Sequence, residues 1–254
     1  MNLFLPTSRR HVLALGAGMC VAGLASRLNA ASPPPAIIEL FTSQGCSSCP
    51  PADAFMEELM AMDRIIAMSF NVDYWDYLGW RDTLASPANS QRQYSYAKTR
   101  GDMDVYTPQI IIDGNTHFVG SSKSVVKAAI ERSLKSTRST WIPMAMTGTA
   151  KEIAVFVDAV PAGMHAQDAT VWIMAIAPEV AVKIERGENA GRDMVYRNVV
   201  RKLVPAGMWH GDQVTLNLPK DDLLAESCKG CVALLQTSSV GPVVGSASWG
   251  KVSA

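Results

Sequence analysis

The sequence predicts an α/β domain followed by a mostly antiparallel, β-sandwich-like domain. Three observations carry this expectation. Apolar runs of strand length alternate with helical-period segments as far as Lys135, whereas from Trp141 onward nearly every apolar run is short, strand-like and bounded by turn residues. The composition, 48% hydrophobic and 18% charged over 254 residues, is that of a packed globular chain of one or two domains.

The amino terminus reads basic, apolar, small. Arg9 and Arg10 precede an apolar run from Val12 to Ala25, which is short against the roughly 20 residues of a membrane span. Ser8-Arg9-Arg10-His11-Val12-Leu13 resembles a twin-arginine export signal. Residues 1–31 are therefore expected to leave with export, Cys20 among them, giving a periplasmic or secreted chain without stable membrane insertion. Lys plus Arg number 23 against 23 Asp plus Glu, so no basic surplus favours nucleic acid, and loss of the signal leaves the remainder mildly acidic.

The first domain is expected over residues 36–138. Ala36 to Thr42 reads as a buried strand, and Pro50-Pro51 opens a helix through Met62 whose Phe55, Met56, Leu59 and Met60 recur at helical spacing. Arg64 to Val72 gives a second strand, and Ser86-Pro87 opens a polar helix closed by Gly101. Pro108 enters a third strand that turns at Asp113-Gly114 into Thr116 to Gly120, and a helix from Ser121 to Lys135 follows. The junction falls at Arg138-Ser139-Thr140, and the second domain is expected over 141–254 as seven short strands with one helical stretch, Asp221 to Glu226.

Of the cysteines beyond the signal, Cys46 and Cys49 form one Cys-x-x-Cys pair and Cys228 and Cys231 a second. A pair placed between a strand and a helix start meets free backbone N–H groups and the positive end of the helix dipole, both of which favour a thiolate. Cys46 is then the candidate nucleophile and Cys49 the resolving thiol. Two other readings of the same residues stand beside it: an inert disulfide, and half of a four-thiolate zinc site completed by Cys228 and Cys231. Pro108 can carry a cis peptide after Thr107 and expose main chain beside the cysteines for an extended partner.

The stretch from Ala36 to Lys135 resembles the thioredoxin fold through Cys46-x-x-Cys49, Thr107-Pro108 and the Asp113-Gly114 hairpin. The segments Glu39 to Asp53, Asp73 to Trp80, Tyr106 to Gln109, Arg186 to Arg192 and Arg197 to Arg201 resemble an exported bacterial family of unknown function with a thioredoxin-like domain. That likeness implies a thioredoxin-like first half and a redox-active disulfide, and names no substrate. The chain departs from ordinary thioredoxins in having Gly45 where an aromatic residue is usual and a Ser-Ser pair between the cysteines. Thioredoxins keep a buried acid in the first strand, and Glu39 stands one position further from the cysteines than that acid. It is either a proton acceptor for Cys49 or an outward-facing strand residue.

Asp73, Trp75, Asp76 and Trp80 share a loop that is read as a carboxylate site, an aromatic wall above the cysteines or a solvated turn. Cys228 and Cys231 are read as a local structural disulfide or as a relay exchanging with the first pair. Met144 and Met146 raise copper, since thioethers and thiolates suit Cu(I), but the methionines also fit a core. The expected function is exported thiol–disulfide exchange with a cysteine-containing protein partner, needing no cofactor beyond the disulfide. The alternatives are a thiolate protein for copper or zinc and a thioredoxin-like binding scaffold without turnover.

Overall fold

The computed structural model describes residues 33–136, 141–165, 167–225, 227–238 and 240–252; the export signal read over 1–31 and the junction at 138–140 lie outside them. The first half runs β1 Ala36–Thr42, α1 Pro50–Met60, β2 Ile65–Asn71, a short 3-10 turn Asp76–Leu78, α2 Pro87–Arg100, β3 Gln109–Ile112, β4 Thr116–Val119 and α3 Lys123–Lys135. The second half runs β5 Met144–Gly148, β6 Glu152–Val157, β7 Ala169–Lys183, β8 Asp193–Trp209, β9 Val214–Pro219, α4 Lys220–Leu223, β10 Gly230–Thr237 and β11 Val243–Gly250.

The two halves share one sheet. Its eight strands stand in the order β11-β10-β7-β8-β2-β1-β3-β4, and β5, β6 and β9 form a separate three-stranded sheet. Within the first half β1 runs parallel to β2 and antiparallel to β3, which in turn pairs with β4. The seam between halves is a parallel bridge of Ser69 on β2 with Val199 on β8. Asn198, at a positive φ of 43°, donates its amide to the Ala67 carbonyl at 2.9 Å beside that bridge.

Strand alternation sorts the side chains into layers. On one face Ile37, Phe41, Met68 and Phe70 share a core with Tyr96 of α2 and with Met174, Ile176 and Leu234 of the second half. On the other face Ile38, Leu40, Ile110 and Ile112 pack under Phe55, Met56 and Leu59 of α1 and Val126 and Ile130 of α3. Further along that face Val171, Ile173, Cys231 and Leu235 pack against Ile153, Val155 and Val157 of β6. With both faces covered all seven residues of β1 are buried, and each large side chain there contributes about 1.5–3 kcal/mol.

Helix α2 shows why its ends fall where they do. Ser86 Oγ accepts from the Asn89 N–H at 3.3 Å, Pro87 takes a first-turn position that needs no donor, and Gly101 turns left-handed at φ 80°. The sequence places the ends of two strands too early, at Ala177 and Val204. β7 continues through Pro178 and Glu179 to Lys183, because β8 supplies partners out to Val182 opposite Met194 and Lys183 opposite Asp193. The resulting hairpin arm carries the residues after Lys183 over to the first half. Among the described residues no helix is long and apolar enough to cross a membrane.

Candidate functional site

The chain leaves β1 at Thr42, turns through Ser43, Gln44 and Gly45, and enters α1 at Cys49, its N-cap residue. Cys46 and Cys49 are joined in a disulfide with their Cα atoms 5.4 Å apart. The turn is held by main chain: the Cys46 N–H donates to the Ser43 carbonyl at 3.1 Å and the Cys49 N–H to the Cys46 carbonyl at 3.2 Å. Ser47 and Ser48 are exposed, while Cys46 keeps 3% of its surface and Cys49 none.

The Thr107–Pro108 peptide is cis and lies beside this turn. Ser48 Oγ stands 3.4 Å from Cys46 Sγ and donates to the Thr107 carbonyl, also at 3.4 Å. Trp75 Nε1 donates to Thr107 Oγ1 at 2.7 Å, which lays the indole against the cysteine loop. A Cβ on Gly45 would stand 3.1 Å from the Trp75 Cβ and from its carbonyl oxygen, so a larger residue before Cys46 would press on Trp75.

The acidic loop is an aromatic wall. Trp80 Nε1 donates to Gln44 Oε1 at 2.8 Å, and Trp75 stacks on Tyr77, which is 75% exposed. Its carboxylates take separate partners: Asp73 accepts from Ser90 Oγ of α2 at 2.5 Å and Asp76 from the Asp82 N–H at 3.0 Å. The carboxylate-site reading of Asp73 and Asp76 is thereby corrected, since Asp73 is tied to Ser90 of α2 and Asp76 to the loop main chain at Asp82.

Residues 37–236 match a family described as protein of unknown function, DUF1223. The chain belongs to this family. A protein of Agrobacterium tumefaciens solved by X-ray crystallography is 30% identical, with a TM-score of 0.71 over 85% of this chain and 94% of that one. HBP35 of Porphyromonas gingivalis shares the fold at 11% identity, with a TM-score of 0.61 over 85% of this chain and 75% of its own. No curated protein matches the chain.

In this DUF1223 protein Glu39 is neither outward-facing nor a partner for Cys49. It shares the alternation of Ile37 and Phe41, on the face away from α1, and is fully buried. Arg92 Nε donates to its Oε2 at 2.6 Å, while Arg92 Nη2 at 3.0 Å and the Tyr96 hydroxyl at 2.6 Å donate to its Oε1. With both oxygens engaged across the sheet, the proton-acceptor reading of Glu39 is withdrawn.

The acid near the cysteines is Asp53, one helical turn beyond Cys49 on α1. It is 2% exposed, its Oδ1 accepts from Thr42 Oγ1 at 2.7 Å, and its Oδ2 has no hydrogen-bond partner among the described residues. Burial above all pushes its pKa up to about 7, with the Asp82 carboxylate adding to the effect and Thr42 opposing it. An acid beside Ala52, Phe55 and Met56, whose side chains fill the core, is the signal that could have found it. A second residue came from far away. Asn189, on the tip that joins β7 to β8, donates to the Gln44 carbonyl at 2.9 Å and to the Cys46 carbonyl at 2.8 Å.

Cys228 and Cys231 are free thiols buried in the second half, so the structural-disulfide reading is corrected. Burial pushes Cys231 up to about 12, with Cys228 beside it adding, and raises Cys228 as well. Both thiols lie in the core that β7 and β10 share with β6, whereas Cys46 and Cys49 lie at the turn into α1. The two pairs thus sit in separate parts of the fold, and no four-thiolate site forms among the described residues. Among the described residues no three His, Cys, Asp or Glu side chains converge as metal ligands.

Proposed function

We propose that the protein is an exported thiol–disulfide oxidoreductase whose Cys46–Cys49 couple exchanges with a cysteine pair on a partner protein. The observation that carries this reading is the bonded pair at the turn between β1 and α1, with Ser48 bridging it to the carbonyl before a cis proline. The strand and helix order of the first half, with β1 beside both β2 and β3, supports its reading as a thioredoxin-like unit. The basic, apolar and small order of residues 1–31 supports export, which brings the cysteines where disulfides persist.

In the reducing direction the Cys46 thiolate attacks one sulfur of the client disulfide, forming a mixed disulfide and expelling the client's other sulfur as a thiolate that takes a proton. The Cys49 thiolate then attacks the Cys46 sulfur, restoring the Cys46–Cys49 bond and releasing the client as a dithiol. The protein is oxidised by the two electrons the client gains, and the oxidising direction is the reverse. Asp53, with a carboxyl that changes charge near pH 7 on the same side of α1, is the group available to take the Cys49 proton. The rings of Tyr94, Tyr74, Trp75 and Tyr77, at centroid spacings of 6.2, 5.8 and 6.2 Å, form a wall leading to the cysteine loop, suited to an extended polypeptide.

The narrow access to Cys46, 3% exposed, favours a second reading, a binding scaffold without turnover. Trapping separates the two. A Cys49→Ser variant of the full chain is expected to accumulate mixed disulfides on Cys46, identifiable by mass spectrometry. Their absence under oxidising conditions, with Cys46 alkylating no faster than a free thiol at pH 7, would leave the scaffold.

A further inference from the structure

We infer that Asn189 is a positioning residue through which the C-terminal half sets the redox equilibrium of the Cys46–Cys49 couple. The inference deepens the proposed function and rests on that couple being redox-active. The two hydrogens of the Asn189 amide are spent on two carbonyls of the cysteine turn, Gln44 and Cys46, which flank Gly45. The Cys46 carbonyl also accepts from the Cys49 N–H, so a single oxygen ties the second half to both cysteines.

The tip that carries Asn189 is itself fastened. Ile184 and Arg192 close it through Ile184 N–H to the Arg192 carbonyl at 3.0 Å and Gly191 N–H to the Ile184 carbonyl at 2.7 Å. Gly187 and Gly191 take the positive φ values, 76° and 81°, that the turn requires. Gly187 also lies against the wall, where an added Cβ would stand 3.2 Å from the Trp80 Cβ. Asn189 is 1% exposed and its Oδ1 is buried without a hydrogen-bond partner among the described residues. An acceptor left so is a cost that a residue kept only to fill space would not incur.

Holding Gly45 and Cys46 from above keeps the Cα of Cys46 within 5.4 Å of the Cys49 Cα. A turn held in that geometry raises the effective concentration of one sulfur at the other and so favours the bonded form. Reduction removes the covalent constraint, and the turn is then free to leave the clamp. Asn189 therefore stabilises the disulfide more than the dithiol.

The test is a redox titration with glutathione, in which two glutathione thiols convert the disulfide to the dithiol and leave as glutathione disulfide. The fraction bonded is read by alkylation and mass spectrometry of the peptide holding Cys46 and Cys49, so that the other cysteines do not enter. Asn189→Ala and the isosteric Asn189→Asp are expected to lower the equilibrium constant for the bonded form about tenfold, the effect of one to two lost net hydrogen bonds. Both should lower the melting temperature of the oxidised protein more than that of the reduced protein. In the wild-type chain the Asn189 side-chain amide protons are expected to exchange slowly when the pair is oxidised and faster when it is reduced, a reading that needs no variant to fold. An unchanged equilibrium constant with equal melting losses in both forms would overturn the inference, as would equal amide protection in both. A wild-type pair that glutathione and dithiothreitol leave bonded would instead sink the proposed function.

Discussion

Arg92 on α2 grips Glu39 on β1 through its Nε at 2.6 Å and its Nη2 at 3.0 Å, with the two side chains 1% and 0% exposed. Gln236 of β10 completes the group by accepting from Arg92 Nη2 at 2.7 Å and donating to the Tyr96 hydroxyl at 2.8 Å. The charge pair thus lies where the first half meets the second. Arg92→Met leaves a buried carboxylate without its cation and is expected to destabilise the fold by about 3–5 kcal/mol. The double variant Glu39→Leu with Arg92→Met should recover much of that loss and exchange disulfides at the wild-type rate. Urea midpoints and exchange rates of the single and double variants measure both outcomes, and a slowed double variant would return Glu39 to the chemistry.

Asp53 makes stability depend on pH. Its folded pKa, about 7, lies above the unfolded reference of 3.8, so the folded protein holds the proton more tightly. The stability this contributes is fully present below about pH 4 and is lost as pH rises through 7. Asp53→Asn removes the titration. Relative to wild type, the variant is expected to gain stability between pH 5 and 8 by a few kcal/mol, since each tenfold difference in proton affinity between the folded and unfolded chain is worth about 1.4 kcal/mol. Urea midpoints at the two pH values provide the check. Thiol–disulfide exchange by the variant should slow near neutrality, and its rate should lose the step near pH 7.

Cys228 and Cys231 are expected to resist alkylation in the folded protein at pH 8, since burial both hides the sulfurs and keeps them protonated. Replacing both by Ala should leave the exchange rate of Cys46 and Cys49 unchanged and cost about 1–3 kcal/mol through lost packing in the second-half core. Labelling followed by mass spectrometry, with turnover measured on the same sample, reads this out. A fall in turnover would revive communication between the pairs.

Tyr77 extends the aromatic wall into solvent, stacked on Trp75 at a ring spacing of 6.2 Å. Tyr77→Ala is expected to slow exchange with a polypeptide disulfide about tenfold, the effect of losing one moderate aromatic contact of about 1.4 kcal/mol. Its reaction with dithiothreitol, which has no chain to lay along the wall, should not change. Rates with the two substrates measured side by side decide it, and equal slowing of both would place Tyr77 outside client binding.

Features that depend on neighbours in sequence were legible beforehand. Ser86, Pro87 and Gly101 announce the ends of α2 because capping is settled within one turn of backbone. The Cys46–Cys49 bond needs only the spacing of two residues at a turn. Alternation alone could not say which face Glu39 takes, since both faces of β1 are buried and neither choice exposes it.

The amino-acid sequence by itself determined the order of strands and helices, the cysteine turn and the placing of a proline for its flank. Each of these arises from torsion preferences and apolar spacing over a few residues. Tertiary structure alone decided that Arg92 takes the carboxylate of Glu39 at 53 positions' distance and that Asn189 reaches the Cys46 carbonyl at 143. The first pair exists only once α2 packs on the face of β1 away from α1, and the second only once β8 lies beside β2, because hydrogen-bond geometry is satisfied by that assembly and not by the sequence.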